Sequence, residues 1–188
     1  VLFGLRNSFG LAPIAVNSVF HLNGIVNLLT LVPTAGREAV SRESTSFVSR
    51  LISIVDGIVA QEIAKYPIAN NSREFHAYIR NTRRYDLAGF IEIPVEKTDV
   101  SIRLKDVKKV IDGKNVYYFK GNNKETIESL KDNSNLILTF SNDYNRANIQ
   151  QQVLMQKSIP EIKDDIRIIK VYDDIDFYLD ENTYGYRG

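Results

Sequence analysis

Two Arg-Glu pairs stand in the stretch PTAGREAVSREST, residues 33–45, directly ahead of an apolar-periodic run. The pairs are Arg37-Glu38 and Arg42-Glu43. A helix N-terminus already carries positive potential and is usually met by acids, so arginines at its approach need a reason. A planar guanidinium keeps its charge and offers paired donors to anionic oxygens. The stretch therefore indicates either an exposed turn with surface ion pairs, Arg42 meeting Glu38 or Glu43, or a site that holds an anion.

The hydroxyl residues of this stretch favour a helix start. Ser41 and Thr45 come immediately before the periodic run, where serine and threonine are preferred caps. Free N–H groups and hydroxyls at a helix N-terminus also suit an anion. Capping and anion contact are compatible, so Arg37, Ser41, Arg42 and Thr45 are candidates for an anion contact, and the choice between an anion site and an exposed turn stays open at this point.

The elements that would position these residues follow from apolar spacing. A period near 3.6 predicts a helix from Thr45 to about Lys65 with one broad apolar face, after which Tyr66-Pro67 stops it. The face consists of Phe47, Leu51, Ile54, Val55, Ile58, Val59 and Ile63. A second helix is expected from a cap at Ser72 to about Arg84.

Upstream of the loop, two apolar runs predict paired strands. The runs cover 14–22 and 25–32, and Asn23-Gly24 between them is a hairpin signal. Together with the long helix, they indicate part of a larger α/β layer. We place this first region at residues 1–86.

Residues 87–188 read as a second, smaller region in which helices and strands alternate. Val100, Leu104, Val107 and Ile111 predict a helix capped by Thr98 or Asp99, and a competing hairpin would turn at Asp112-Gly113. Strands separated by helices favour parallel pairing, which predicts a small three-layer αβα subdomain with a mainly parallel sheet and a C-terminal tail. The further elements are a connector with strand character over 87–95, strands at 116–119, 136–140 and 166–171, and helices at about 124–131 and 146–156.

Composition excludes several classes of function. The 188 residues are 44% hydrophobic with a net charge of 24 − 23 = +1, so bulk charge favours neither nucleic acid nor an anionic membrane. With no cysteine the chain has no thiol chemistry, and a cytoplasmic location is expected. His21 and His76 match no metal-ligand spacing, and we expect no metal site. This sequence has no run of about 18 apolar residues, so we expect no membrane-spanning helix in it. Its N-terminus lacks an initiator Met and a signal-peptide pattern, so we expect a piece of a longer chain.

Arginines cluster at the end of the second predicted helix, at Arg80, Arg83 and Arg84. Cations at this end meet the negative pole of the helix dipole, which is a structural explanation. A nucleic-acid or partner patch is the alternative, and no basic stripe with interleaved aromatic residues accompanies it. Nucleic-acid binding is therefore the weakest of the functions considered.

The order of these motifs resembles the middle domain of heat-shock protein 90 chaperones. Val40-Ser-Arg-Glu43 ahead of a long helix is similar to their Asn-Leu-Ser-Arg-Glu segment. DGKNVYYFKG at 112–121 stands where they have Gln-Lys-Asp-Ile-Tyr-Tyr-Ile-Thr-Gly, a helix beginning NKETIE follows, and NIQQQ at 148–152 is similar to their Gln-Gln-Leu helix. The stretch around PTAGRE looks more like a divergent bacterial ATPase with the same nucleotide-binding architecture.

The resemblance implies a function. It assigns Arg42 the catalytic contact to the γ-phosphate of ATP, bound with Mg²⁺ mainly by an N-terminal nucleotide domain of the same chain, with Arg37, Ser41 and Thr45 as binding residues. The α/β layers would then couple nucleotide state to a client or partner protein, and the full-length protein is open to homodimerisation. The piece alone is expected to be inactive because it has no Gly-rich phosphate cradle. A non-catalytic interaction scaffold that kept the architecture is the alternative.

Overall fold

A computed structural model of the chain describes residues 1–36, 39–96, 98–110, 115–119, 128 and 135–162. Helices and strands alternate through these ranges, with short 3₁₀ turns at Pro67–Asn70 and Tyr85–Phe90. The strands are β1 (Leu2–Arg6), β2 (Phe9–Ile14), β3 (Gly24–Asn27), β4 (Glu92–Pro94), β5 (Ser101–Arg103), β6 (Asn115–Phe119), β7 (Asn135–Thr139) and β8 (Glu161–Ile162), and the helices are α1 (Arg42–Ile63), α2 (Arg73–Thr82), α3 (Val107–Val110) and α4 (Tyr144–Gln156).

The first sheet has the strand order β2-β1-β3. β1 and β2 form an antiparallel hairpin whose two turn residues, Asn7 and Ser8, have φ of 49° and 65°. Positive φ at both positions is the mark of a type I′ turn, which matches the twist of the flanking strands. β3 pairs with β1 in parallel, with Phe3 opposite Ile25.

The hairpin predicted at Asn23-Gly24 is wrong. Residues 15–23 form no strand, because a distant carboxylate holds them in a turn. The Ser18 hydroxyl donates to Asp56 Oδ1 at 2.7 Å and the Val19 N–H donates to Asp56 Oδ2 at 3.1 Å. The Leu22 N–H then donates to Ser18 Oγ at 3.3 Å. The chain passes through this turn to the other side of β1, where β3 pairs with β1 in parallel.

Helix α1 exists as predicted but turns a different face to the protein. Its buried residues recur every fourth position, at Ser44, Val48, Ile52, Asp56 and Ala60. Much of the predicted apolar face is exposed, with fractional exposures of 38% for Phe47, 59% for Ile54, 38% for Val55 and 61% for Ile58. We call the line formed by Phe47, Leu51, Ile54, Val55 and Ile58 the outer stripe of α1.

A larger hydrophobic core joins the end of α1 to the later elements. α2 begins after the Ser72 cap as predicted, and Arg83 closes it in a left-handed conformation. α4 packs against α2, capped by Asp143. The largest fully buried side chains of this core are Phe75, Ile79, Ile91, Ile93, Leu104, Leu138, Ile149 and Leu154.

The second main sheet has the order β7-β6-β8, and both of its pairings are parallel. Val116 lies opposite Leu136 and Tyr118 opposite Leu138, which confirms the two predicted strands. The mixed α/β class is therefore confirmed. The helix predicted at about 124–131, apart from residue 128, the strand predicted at 166–171 and the tail lie outside the described residues.

The predicted helix from Val100 to Ile111 is wrong over its first half. β5 occupies 101–103 and pairs antiparallel with β4, placing Ile102 opposite Ile93. Thr98 closes the turn between these strands by donating to the Val95 carbonyl at 3.2 Å, so it caps no helix. Only α3 is helical, and the competing turn at Asp112-Gly113 lies outside the described residues.

None of the described helices combines the length and apolarity needed to cross a bilayer.

The orientation of α1 can be tested with a matched pair of substitutions. Ile52→Ala removes a side chain that is 7% exposed and should lower the free energy of unfolding by about 2–4 kcal/mol. Ile58→Ala makes the same change on the outer stripe and should stay within about 0.5 kcal/mol of the parent. Urea unfolding of both variants measures the difference. Equal losses would mean that the helix is rotated from the orientation described.

Candidate functional site

Arg42 is the first residue of α1 and is exposed to solvent. Within the described ranges, neither a carboxylate nor any other hydrogen-bond acceptor engages its guanidinium. Neighbouring Glu43 is exposed in the first turn, where an acid meets the positive end of the helix dipole. The predicted surface ion pair with Glu43 is therefore not formed, and Arg42 has no counter-charge among the described residues; Glu38, the other predicted partner, lies outside them.

Two serines fix the backbone that carries Arg42. Ser41 is the N-cap, and its hydroxyl accepts from the Ser44 N–H at 3.2 Å and donates to Ser44 Oγ at 3.1 Å. Ser44 is only 5% exposed; its hydroxyl accepts from the Val32 N–H at 2.9 Å and donates to the Thr30 carbonyl at 3.3 Å. The start of α1 is thus tied to the preceding loop, which gives Arg42 a rigid base.

Thr45 lies one turn inside the helix. Its N–H donates to the Ser41 carbonyl at 2.9 Å, which makes the first helical hydrogen bond, and Ser41 is the capping residue. Among the candidates from the sequence, Ser41, Arg42 and Thr45 therefore fall within one turn of each other. Arg37 and Glu38 lie outside the described residues, so the role predicted for Arg37 and its possible neighbours stays a prediction.

The loop that contains Arg37 is closed at its base. The Thr34 N–H and hydroxyl both donate to the Ala39 carbonyl, at 2.9 and 3.2 Å, and Pro33 forms an antiparallel bridge with Val40. These bonds bring the two ends of the loop together next to the helix start. Residues 33–34, before the loop, are therefore fastened to residues 39–40, after it.

A pocket of about 320 Å³ adjoins the helix start. Its walls include Val32, Phe47, Ser41 and Ser44, and Glu43 also lines it. A carboxylate in the wall repels an anion, so this pocket is not the place where a phosphate would sit. The start of α1 therefore offers an anion one exposed guanidinium, that of Arg42, which does not line this pocket.

Two of the three arginines at the end of α2 have side-chain partners within the chain. Arg84 donates through Nε and Nη2 to the two oxygens of Asp86 at 2.9 and 2.8 Å, and this pair lowers the pKa of Asp86. Arg80 lies over the Tyr144 ring, 5.4 Å from its centre. Arg83 is the left-handed cap of the helix. These contacts give two of the three arginines a structural role.

A buried polar network, which sequence reasoning missed, joins the 3₁₀ turn at Pro67–Asn70, β4 and α4. Arg146 Nη2 donates to Asn70 Oδ1 at 2.7 Å and to the Glu92 carbonyl at 3.1 Å. Gln150, fully buried, donates to the same carbonyl at 2.6 Å and accepts from the Ser141 N–H at 2.9 Å. The QQQ run at 150–152 was the available signal, but the Glu92 carbonyl that Gln150 contacts is 58 residues away, and the two contacts of Arg146 span 54 and 76 residues.

Charge inside this network is constrained by burial. Desolvation lowers the pKa of Arg146, whereas the charges of Glu92 and Asp143 oppose that shift. His76, 3% exposed, has Nε2 3.0 Å from the Ala69 carbonyl, and burial lowers its pKa, with the nearby charge of Arg146 acting in the same direction. A second positive charge is therefore disfavoured here. The arrangement fastens elements together and contains no nucleophile paired with a base.

Among the described residues, no group of three or more His, Asp or Glu side chains could hold a metal ion.

Compared with protein-family models and with curated proteins, the chain matches none of them. Its function therefore has to be argued from the geometry described above.

The buried histidine predicts a pH dependence of stability. In the unfolded chain, His76 binds a proton near its ordinary pKa of 6.5. In the folded chain, burial lowers the pKa of His76, so protonation requires a lower pH. Since the unfolded state then binds more protons, stability should fall as the pH drops from about 7.5 to 5.5. His76→Gln should flatten this slope in denaturant unfolding, and His21→Gln, at an exposed position, should not. Equal slopes in all three proteins would contradict the assignment.

Proposed function

We propose that this chain is a middle-domain portion of an ATPase related to heat-shock protein 90. In this proposal Arg42 contacts the γ-phosphate of ATP that is held by an N-terminal nucleotide domain of the same polypeptide. The supporting observation is the state of Arg42: an exposed guanidinium without a described partner, on a helix start tied down by Ser41 and Ser44. The resemblance of Val40-Ser-Arg-Glu43 to the Asn-Leu-Ser-Arg-Glu segment of these chaperones is the reason for naming the γ-phosphate of ATP as the anion.

The residues of this chain fit one part of such a site. A guanidinium offers two parallel donors to phosphate oxygens and stabilises the charge that spreads over them during phosphoryl transfer. Because Ser44 is buried and bonded to the loop at Thr30 and Val32, the backbone of Arg42 needs little reordering when an anion arrives. ATP with Mg²⁺ supplies the transferable phosphoryl group, and its remaining contacts belong to the nucleotide domain.

The faces of α1 support a division of roles. At 100° per residue, Arg42 shares a helix side with Ser46, Ser49 and Ser53, and the outer stripe lies roughly half a turn away. The body of the protein covers a third side, through residues such as Ile52. A helix arranged in this way can meet a nucleotide domain near its start and a client or partner along its length.

The outer stripe also favours a second candidate function, a protein-interaction scaffold without catalysis. Exposed apolar side chains in a line are typical of surfaces that contact other proteins. This candidate needs no phosphate contact from Arg42. The two functions are separated by whether turnover depends on that arginine.

The catalytic proposal predicts a specific loss in the full-length protein. Arg42→Ala should lower ATP turnover by roughly 10²-fold or more and leave ATP affinity nearly unchanged, because the contact acts mainly in the transition state. Arg42→Lys should recover only part of the rate, since lysine lacks the paired donors. Steady-state turnover and nucleotide titration measure the two effects, and this chain alone should show no turnover.

Arg50→Ala is the matched control, because Arg50 is an exposed arginine two turns further along α1. It should leave turnover unchanged. If Arg42→Ala also leaves turnover unchanged, the catalytic role is refuted. Loss of partner binding by Ile58→Glu at unchanged turnover of both arginine variants would then support the scaffold.

A further inference from the structure

A second pocket of about 320 Å³ lies far from the start of α1, between the 3₁₀ turn at Tyr85–Phe90 and the end of α4. Its floor is apolar and consists of the buried side chains of Ala88, Leu104 and Val153. Its polar wall includes Gln156 and two lysines, Lys105 and Lys157. This combination of an apolar floor with a few polar groups at the rim is typical of small-ligand sites, and the volume is at the lower end of their range.

The two lysines have no carboxylate partner in the part of the chain that the structure describes. Lys157 is half-buried at the end of α4 and forms no ion pair there. Lys105 lines the pocket, and its Nζ lies over the Phe90 ring, 3.6 Å from the ring centre. Among the described residues, no contact with a carboxylate neutralises either lysine.

The acids nearby are engaged elsewhere. Asp86 lines the pocket, but both of its oxygens accept from Arg84. Asp106 forms an ion pair with Lys109 at 3.0 Å, and its interaction with Lys105 is electrostatic and without an ion-pair contact. The end of α4 offsets part of the charge of Lys157, because a helix C-terminus carries about half a negative charge. Among the described residues, a net positive rim remains.

We propose that this pocket binds a carboxylate joined to a short apolar group. The ammonium groups of Lys105 and Lys157 would hold the carboxylate, with the Gln156 amide as a further donor, while the floor takes the apolar part. The same chemistry is present in a free acid of about five carbons and in the last residue of a peptide that ends in Val or Leu. The proposal concerns a site separate from Arg42 and does not depend on the ATPase function.

The test uses 3-methylbutanoate and its neutral amide as probes of the chain. Amide shifts in ¹⁵N–¹H spectra should report saturable binding of the acid with a roughly millimolar Kd and no saturable binding of the amide. A hexapeptide that ends in Leu, with a free or an amidated C-terminus, repeats the comparison for a peptide source. Binding of only the peptide acid, or of only the small acid, supports the proposal and identifies the source.

Substitutions then place the site. Lys157→Met should weaken binding of the acid by about tenfold, because one charge-assisted contact is lost. Lys65→Met is the control: Lys65 is exposed, pairs with Glu62 and lies outside the pocket. Gly89→Leu should fill part of the pocket, and its Cβ would make ordinary contact, at 3.5 Å from Lys105 Cβ.

The outcomes are decisive in both directions once unfolding curves show that each variant is folded. Equal affinity for acid and amide, or unchanged affinity in Lys157→Met and Gly89→Leu, would overturn the site. No saturable binding of either acid probe would overturn it as well. Binding that both pocket variants weaken, and that Lys65→Met leaves intact, establishes it.

Discussion

The fold depends on one buried carboxylate, that of Asp56 in the middle of α1. A carboxylate that is 5% exposed must have its oxygens hydrogen-bonded, because an unsatisfied buried charge is strongly destabilising. Asp56 meets this requirement by accepting from the Ser18 hydroxyl and the Val19 N–H. The turn that follows places Phe20 against Tyr78 of α2, with ring centres 5.9 Å apart. The same carboxylate therefore fixes the rotation of α1 about its axis. It also positions residues 18–20, which contact α2 through Phe20.

That rotation explains why the outer stripe is exposed. Ile52 on the buried face and Ile58 on the outer stripe are about a third of a turn apart around the helix. The helix therefore cannot bury the face of Ile52 and the outer stripe against the same surface. Burying the stripe would move Asp56 and Ser44 away from their partners at Ser18 and Val32. The polar residues select between two apolar faces, and in doing so they direct Arg42 outward from the start of the helix.

Local signals in the sequence were sufficient for the elements whose stability is local. The caps at Ser41, Ser72 and Asp143 lie at the starts of the three long helices, and two of them, Ser41 and Ser72, were identified from the sequence alone. The strands at 116–119 and 136–140 were also found, because buried parallel strands are continuous apolar runs. The mixed α/β class followed from their alternation.

The errors arose where a contact between distant residues overrides the local pattern. Residues 14–22 have strand propensity, but Asp56, 38 residues from Ser18, holds a turn there. The periodicity of α1 gave a correct helix and the wrong buried face, because a polar aspartate does not register as a core position. At the candidate site, the positions of Arg42 and Ser41 could be inferred, whereas the contacts of Ser44 with Thr30 and Val32 needed the loop geometry.

The packing of α1 also bears on how an event at Arg42 would reach the second sheet. α1 is a continuous helix of 22 residues, and its buried Ala60 belongs to the same core as Phe75 and Ile149. Gly57 lies so close to α2 that an added Cβ would be 3.3 Å from Tyr78 Oη, which leaves little room for the helices to slide. The network at Arg146 and Gln150 then fastens α4 to β4. The start of α1 is therefore connected to the second sheet through one continuous helix, one hydrophobic core and the hydrogen bonds of α4 to β4.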